Sequence, residues 1–348
     1  MVKFVKGNEA VVIGALYAGC DYYFGYPITP ASEVAHAASA WFPAVGRGFL
    51  QAECETASIN MVYGASAAGK LSMTASSGPG ISLMQETISY MAGAELPGVI
   101  VNVQRAGPGL GNIYPEQADY NQAVKGGGHG SYQCIVLAPG NVQEMCDLTM
   151  LAFELSFAYR NPAIVLTDAM LGQMMETLRL PEAELPRPKT DTWAVSGTPA
   201  TRKNLITSIY LDVAQEEAIN HTLQDKYTRM QVEARAEQYQ TDDADVVVIA
   251  YGVSSRIART AVDKLRATGV KAGLFRPITL APFPTAALCA VADGRKLLVV
   301  ELSCGQFHDD VFFHLAKGLG RVVTVGLLNR MGGALIAVDD VVARVKEL

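Results

Sequence analysis

Short apolar runs alternate with longer stretches of small residues along the first two-thirds of the chain. The runs Tyr22–Gly25, Phe49–Gln51, Lys70–Ala75, Val99–Gln104, Tyr132–Ala138 and Ala163–Asp168 have the length and composition of strands. Helix-length stretches separate them: Glu9–Ala18, a segment that follows Pro30, then Cys54–Ala68, Ile81–Ala94 and Val142–Tyr159. Strand and helix in repeated alternation predict a parallel α/β sheet. Local signals punctuate the pattern. Asn8 is placed to cap the first helix and Gly19 to stop it. Tyr26-Pro27-Ile28-Thr29-Pro30 carries two prolines that enforce an extended turn. Thr29 is then the expected cap of the next helix, with Glu33 near its first turn. The Cys54–Ala68 helix is rich in Ala, Ser and Gly, so a neighbour is expected to pack very close to it.

The alternation stops at Leu180–Pro199, which holds Pro181, Pro186, Pro188 and Pro199 and reads as a linker. Gln215–Gln240 is polar and helix-permissive, as a surface connecting helix would be. A second α/β pattern begins at Asp245, with strands expected at Val246–Ala250, Lys271–Phe275, Lys296–Glu301 and Arg321–Gly326. One helix is expected between Ser254 and Thr268. The fold class is therefore α/β, with two parallel-sheet domains: residues 1–185, a linker and connecting helix over 186–243, and residues 244–348. No short internal repeat is evident.

Composition narrows the functional classes. Charged residues are 18% of the 348, below the roughly 25% of a typical soluble protein. A surface poor in charge predicts that other subunits cover part of it. Lys and Arg number 28 against 34 Asp and Glu, a net charge of −6. That excludes a nucleic-acid binder, which needs a basic footprint, and gives no support to a polybasic membrane patch. No run approaches the ~20 apolar residues of a membrane span. Met1–Asn8 has lysines but no apolar core after them, unlike a secretory signal. A cytoplasmic protein is expected. Cys20, Cys54, Cys134, Cys146, Cys289 and Cys304 form no CxxC pair, so free thiols are expected, with no zinc site or iron–sulfur cluster on this chain.

Open parallel sheets bind ligands at the carboxyl ends of their strands. Four polar or Gly-rich turns fall there: Tyr26–Pro30, Glu53–Glu55, Ser76–Gly80 and Arg105–Asn112. The run Gly107-Pro108-Gly109-Leu110-Gly111 has the look of a phosphate loop but lacks the Lys-Ser/Thr that would complete one. Glu55 is either a first-turn acid favoured by the helix dipole or a functional carboxylate, and Glu53 could fill the same place. Arg105 is either a strand-end charge in an ion pair or a clamp for an anionic substrate. His129, in the loop Lys125–Gly130, is either an acid/base group or a solvated loop histidine.

Taken together, four segments resemble the 2-oxoacid:ferredoxin oxidoreductase family over nearly the whole chain. They are Gly25-Tyr26-Pro27-Ile28-Thr29-Pro30, Glu53-Cys54-Glu55-Thr56-Ala57-Ser58-Ile59-Asn60, the run from Ser77-Gly78-Pro79-Gly80 to Glu86, and Val103-Gln104-Arg105-Ala106-Gly107-Pro108. The resemblance is to the alpha-type subunit, with a thiamine pyrimidine-binding domain followed by a transketolase-C-terminal-like domain. Asp245 onward, with Arg276-Pro277-Ile278-Thr279-Leu280-Ala281-Pro282, fits the latter. The family cofactor is thiamine diphosphate. This chain has no Gly-Asp-Gly, so it is expected to hold only the pyrimidine side. The diphosphate and Mg²⁺ then fall to a beta-type partner.

The resemblance implies that Glu55 bonds the pyrimidine N1′ and favours the imino form that deprotonates C2. It places Thr29 and Arg105 at the substrate carboxylate, and Tyr26, Pro27, Ile28, Ser77 and Gly78 along the cofactor. The implied reaction is CoA-dependent oxidative decarboxylation of a 2-oxoacid, with electrons leaving through partner iron–sulfur clusters to ferredoxin in anaerobic metabolism. The implied assembly is a dimer of heteromers with beta-type, gamma-type and ferredoxin-like iron–sulfur subunits. Pro108–Ile113 and Lys125–Gly130 resemble the branched-chain, 2-oxoisovalerate type. Members specific for 2-oxoglutarate often show Pro-Ser-Thr-Gly in the first of these segments. The alternatives are a subunit specific for 2-oxoglutarate or another 2-oxoacid, and a noncatalytic scaffold or ligand-binding subunit. A nucleotide-binding flavoprotein is disfavoured because no dinucleotide fingerprint is present.

Overall fold

Apolar strands can bury both faces only if helices cover them, and the chain is built that way. The computed structural model describes all 348 residues. The elements run β1 (Val2–Lys6), α1 (Gly7–Tyr17), β2 (Tyr22–Gly25), α2 (Ser32–Ala44), β3 (Gly48–Gln51), α3 (Glu55–Ala67), β4 (Ser72–Ser76), α4 (Pro79–Gly93) and β5 (Gly98–Gln104). There follow α5 (Tyr120–Val124), β6 (Ile135–Leu137), α6 (Val142–Tyr159), β7 (Pro162–Asp168), α7 (Ala169–Gln173) and β8 (Met175–Arg179). The second half holds α8 (Val213–Arg229), β9 (Ala236–Tyr239), β10 (Val246–Ile249), α9 (Gly252–Ala267), β11 (Ala272–Pro277) and β12 (Thr279–Ala281). It ends with α10 (Thr285–Ala292), β13 (Lys296–Glu301), α11 (Gln306–Leu319), β14 (Gly326–Asn329) and α12 (Val338–Glu347).

A seven-stranded sheet has the order β12-β6-β7-β5-β4-β2-β3. All its pairings are parallel except β12 with β6. Its central strands β4, β5 and β7 are buried at every residue, as the near-continuous apolar runs of a two-faced parallel sheet require. A five-stranded sheet has the order β14-β13-β10-β11-β9, with only β9 antiparallel. β1 and β8 form a small antiparallel ribbon. No helix is long and apolar enough to cross a membrane.

Several local expectations change. α1 begins at Gly7, so Asn8 lies inside it rather than capping it. Its buried amide instead donates to Pro30 O at 2.8 Å and to Glu33 Oε2 at 3.1 Å. The Glu9 carboxylate accepts from Lys6 N at 2.8 Å and satisfies the helix start. α2 begins at Ser32 after Ala31, so Thr29 is not its cap; the turn at Pro30 occupies the intervening residues. Arg321–Val325 is not a strand, because β13 pairs in register with Gly326–Asn329 instead. The segment 186–243 contains β9, an edge strand that the polar composition concealed.

The two sheets are sewn together. β12, from the second half of the sequence, is the edge strand of the first sheet, with Thr279 opposite Leu137. Arg276 is 5% exposed. Its guanidinium donates to both oxygens of Glu144 and to Glu237 Oε2, each at 2.7 Å. Gln117, 1% exposed, reaches from the first unit to the ends of β10 and β13. It donates to Tyr251 O at 2.9 Å and accepts from Leu302 N at 2.9 Å and Ser254 Oγ at 2.8 Å. A crevice between adjacent strand ends is where an open sheet ordinarily takes a ligand; in the second sheet a glutamine fills it. Asp168 accepts from Met170 N, Leu171 N and Val253 N at 3.0, 3.0 and 3.1 Å, fastening two helix starts from different units.

Removing one partner of a buried ion pair strands the others. Arg276→Ala is expected to destabilise the chain by about 2–4 kcal/mol, reduced from the fully buried case because Glu144 and Glu237 keep some solvent. Chemical denaturation of the variant and the parent protein measures this.

Candidate functional site

β4 delivers Ser76 and Ser77 to the carboxyl end of the first sheet, and α4 begins at once behind them. The turn between is Gly78, at φ +47°, a conformation that favours glycine. Pro79 follows at the first helical position, where its missing N–H costs nothing. The turn touches two groups of interest. A β-carbon on Gly78 would lie 3.4 Å from Arg105 Nε. A β-carbon on Gly80 would lie 2.2 Å from Ser76 Oγ and 2.5 Å from Glu55 Oε1.

Glu55 opens α3, whose start is capped by Cys54, with Sγ accepting from Ala57 N at 3.4 Å. The Glu55 side chain is 6% exposed. It is buried and accepts no hydrogen bond from the protein. Glu53, two residues earlier, is exposed. Ser76 and Ser77 are fully buried, and neither hydroxyl has a partner. Buried hydroxyls are almost always paired, so this cluster is short of a ligand.

Arg105 sits at the end of β5, in no ion pair. Its Nη1 donates to Thr29 O at 2.8 Å and its Nη2 to Leu110 O at 3.1 Å. Its Nε is buried without a partner. The guanidinium is thus held by carbonyls, which orient it without neutralising its charge. Thr29 and Arg105 are brought together, through the Thr29 backbone. Tyr26 and Pro27 are exposed beside them and Ile28 is half-buried. His129 is exposed and makes no hydrogen bond. Its loop is anchored by Gly127 N to Gln85 Oε1 at 3.2 Å, by Gly128 N to Tyr132 Oη at 2.9 Å, and by Lys125 to Asp310.

Arg105 lines a cavity of about 830 Å³ together with Gly78, Ser82, Glu116, Asp119 and Cys304. No helix follows the Gly107–Gly111 run directly, so it is not a phosphate loop of the P-loop kind. Glu116 is 3% exposed and accepts from Gly107 N at 2.8 Å and from Gly332 N at 2.7 Å, tying that loop to the second unit. Burial lifts the Asp119 carboxyl above the usual range; Asn102 opposes this, Glu116 adds to it, and Arg105 opposes it. The sequence offers Ser76 and Gly80 only as the two ends of a turn and Cys304 only as a free thiol, and it does not single out Glu116 or Asp119. The five share no local pattern and meet only through the sheet.

Beyond Cys304, at the end of β13, Glu301 is fully buried. One oxygen accepts from Phe307 N at 2.8 Å and the other is unpartnered. Burial pushes its pKa from 4.5 up to about 7. The native state therefore holds this proton more tightly than the unfolded chain. Its contribution to stability is present below pH 4.5 and is lost as the pH rises through about 7. Asp168, raised by burial to about 6, acts in the same sense; His314, lowered by burial to about 4, acts oppositely. Glu301→Gln fixes the neutral form. The melting temperature of this variant is expected to exceed that of the parent by a margin that widens between pH 5 and pH 8. A constant margin in melting curves across that range would contradict the buried-acid account.

Two sewn parallel sheets, with unpartnered polar groups converging at the strand ends of the first, define an α/β enzyme subunit of the cofactor-binding kind. The chain belongs to the pyruvate flavodoxin/ferredoxin oxidoreductase family: residues 13–250 match its thiamine-diphosphate-binding domain and residues 244–341 match core domain II of pyruvate:ferredoxin oxidoreductase. It is 60% identical to ketoisovalerate oxidoreductase subunit VorB of Methanothermobacter thermautotrophicus, over 99% of this chain and 97% of that one. It is 39% identical to 2-oxoglutarate synthase subunit KorA of Archaeoglobus fulgidus, over 89% and 90% of the two chains. Among solved structures it resembles the 2-oxoglutarate:ferredoxin oxidoreductase from Magnetococcus marinus, with a TM-score of 0.90 at 31% identity. That match covers 99% of this chain and 65% of the solved one. The residues around Glu55 fit the pyrimidine half of thiamine diphosphate: a buried carboxyl free of partners, orphaned hydroxyls, and glycines that leave room.

Proposed function

We propose that this chain is the pyrimidine-side, alpha-type subunit of an oxidoreductase that converts a branched-chain 2-oxoacid of the 2-oxoisovalerate class and CoA to acyl-CoA and CO₂. The reaction releases one proton and two electrons, which pass to ferredoxin. The observation that carries the reading is the Gly78–Gly80 turn, which has an unpartnered buried carboxyl on one side and an unneutralised guanidinium on the other. The branched-chain substrate is supported by the similarity to the ketoisovalerate relative. The reading includes a beta-type partner holding the diphosphate and Mg²⁺, a gamma-type subunit, a ferredoxin-like iron–sulfur subunit, and a dimer of such heteromers. Residues 1–185 serve as the pyrimidine-binding unit, 186–243 as linker and connecting helix, and 244–348 as the transketolase-C-terminal-like unit.

Bound thiamine diphosphate supplies the electron sink for decarboxylation. Glu55 holds the proton at the pyrimidine N1′. A buried carboxyl with no competing hydrogen bond is available for that single contact. Arg105 and Thr29 receive the substrate carboxylate; the two carbonyls that orient the guanidinium leave its charge for the substrate. Tyr26, Pro27, Ile28, Ser77 and Gly78 border the cofactor. Assay of the purified complex against 2-oxoisovalerate, 2-oxoglutarate and pyruvate tests the substrate class. Greatest kcat/KM is expected for the branched-chain acid, and a preference for 2-oxoglutarate would overturn that part of the reading.

Glu55→Gln is expected to lower turnover about 10²–10⁴-fold with assembly intact, the range for loss of a positioned acid–base group. Glu53→Gln is the control and is expected to change little; the reverse result would move the role to Glu53. Arg105→Ala is expected to lower kcat/KM for the 2-oxoacid by roughly tenfold or more, the value of a charge-assisted hydrogen bond. Arg105→Lys should fall between, since an ammonium cannot reproduce the planar fork. The KM for CoA is expected to stay nearly constant in both. A lowered melting point with kcat/KM preserved would make Arg105 a structural residue.

A further inference from the structure

We infer that Ser76 is a positioning residue for Glu55: in the cofactor-loaded complex its hydroxyl, unbonded in this structure, turns to the Glu55 carboxyl and holds it in the orientation that meets the pyrimidine. The inference rests on the thiamine diphosphate reading and adds a residue that neither the sequence nor that reading singled out.

Three observations carry it. Ser76 Oγ and Glu55 Oε1 both lie within 2.5 Å of the point where a β-carbon on Gly80 would sit. Two polar groups from different elements thus converge on space that exists only because residue 80 has no side chain. Next, Ser76 is fully buried and its hydroxyl has no partner in the protein. Such a group costs stability while it stays unbonded. Finally, nothing competes for Glu55. Arg105 is committed to the Thr29 and Leu110 carbonyls on the Gly78 side of the turn. In the turn before Glu55, Glu53 is exposed and the Cys54 sulfur is occupied by Ala57 N. A hydroxyl can donate or accept, so Ser76 can serve Glu55 whether the carboxyl carries the shared proton or has passed it to N1′. Ser77 is also an orphan, but it is not among the atoms nearest the Gly80 position.

The test uses the assembled complex loaded with thiamine diphosphate and carrying Ser76→Ala, a change that deletes one oxygen. Exchange of the cofactor C2 proton, followed by quenched-flow NMR, is expected to slow about tenfold, the value of a hydrogen bond to a charged group. The circular-dichroism band that reports the imino tautomer is expected to weaken, and kcat to fall while the KM for the 2-oxoacid stays within about twofold. Gly80→Ala is expected to give the same signature, because its β-carbon takes the meeting point of the two groups. Thr74→Val, which removes another unpartnered buried hydroxyl of β4, is expected to leave C2 exchange near the parent rate. The inference is overturned if Ser76→Ala keeps the parent exchange rate and dichroism, whatever its melting temperature. It is equally overturned if Thr74→Val causes the larger loss. A parent complex that binds no thiamine diphosphate overturns the functional reading itself, and this inference falls with it.

Discussion

Arg105 stands in no ion pair with a carboxylate of this chain, and the site is arranged around that constraint. A half-buried guanidinium without a counter-ion is costly unless its N–H groups are bonded. Here backbone carbonyls of Thr29 and Leu110 do the bonding. The Tyr26–Pro30 turn and the Gly107–Gly111 loop must therefore both close on the end of β5. Glu116 then pins the loop by accepting from Gly107 and Gly332. Acidic residues are present at the cavity, yet Glu116 is spent on backbone N–H groups and Asp119 is bonded by Asn102. In the proposed function that positive charge receives the substrate carboxylate. Glu55 is the complementary case, a buried acid left without a base. Unsatisfied groups of both kinds at one turn are what a site looks like before its ligand completes it.

Such a site needs a rigid frame, and the frame spans both sheets. Gln117, Asp168 and Arg276 each make hydrogen bonds between the two halves of the sequence, and β12 extends the first sheet from within the second half. The cavity wall at Cys304 comes from the end of β13, so its shape depends on those clamps. Filling the strand-end crevice of the second sheet with Gln117 has a further effect. The second unit buttresses the first and keeps no open ligand crevice of its own at that position.

The sequence by itself determined the α/β class and the order of most elements. Strands buried on both faces must read as apolar runs, and parallel pairing needs the intervening helices. It also put forward Glu55 and Arg105 as candidates for the site. Glu55 at a helix start and Arg105 at a strand end are local positions, and their chemistry is written in the residue type. Tertiary structure decided what long-range contact alone can specify. Asn8 and Thr29 have the composition of caps, but Asn8 serves Pro30 and Glu33, and Thr29 serves Arg105 through its carbonyl. β12 is a three-residue strand that exists only because β6 lies beside it, and β9 is polar because it is an edge. Ser76 is an ordinary serine until α4 brings Gly80 against it and α3 brings Glu55 to the same point. A hydroxyl, a carboxyl and a missing side chain acquire a joint meaning only when three elements meet. No pattern along the chain encodes that meeting.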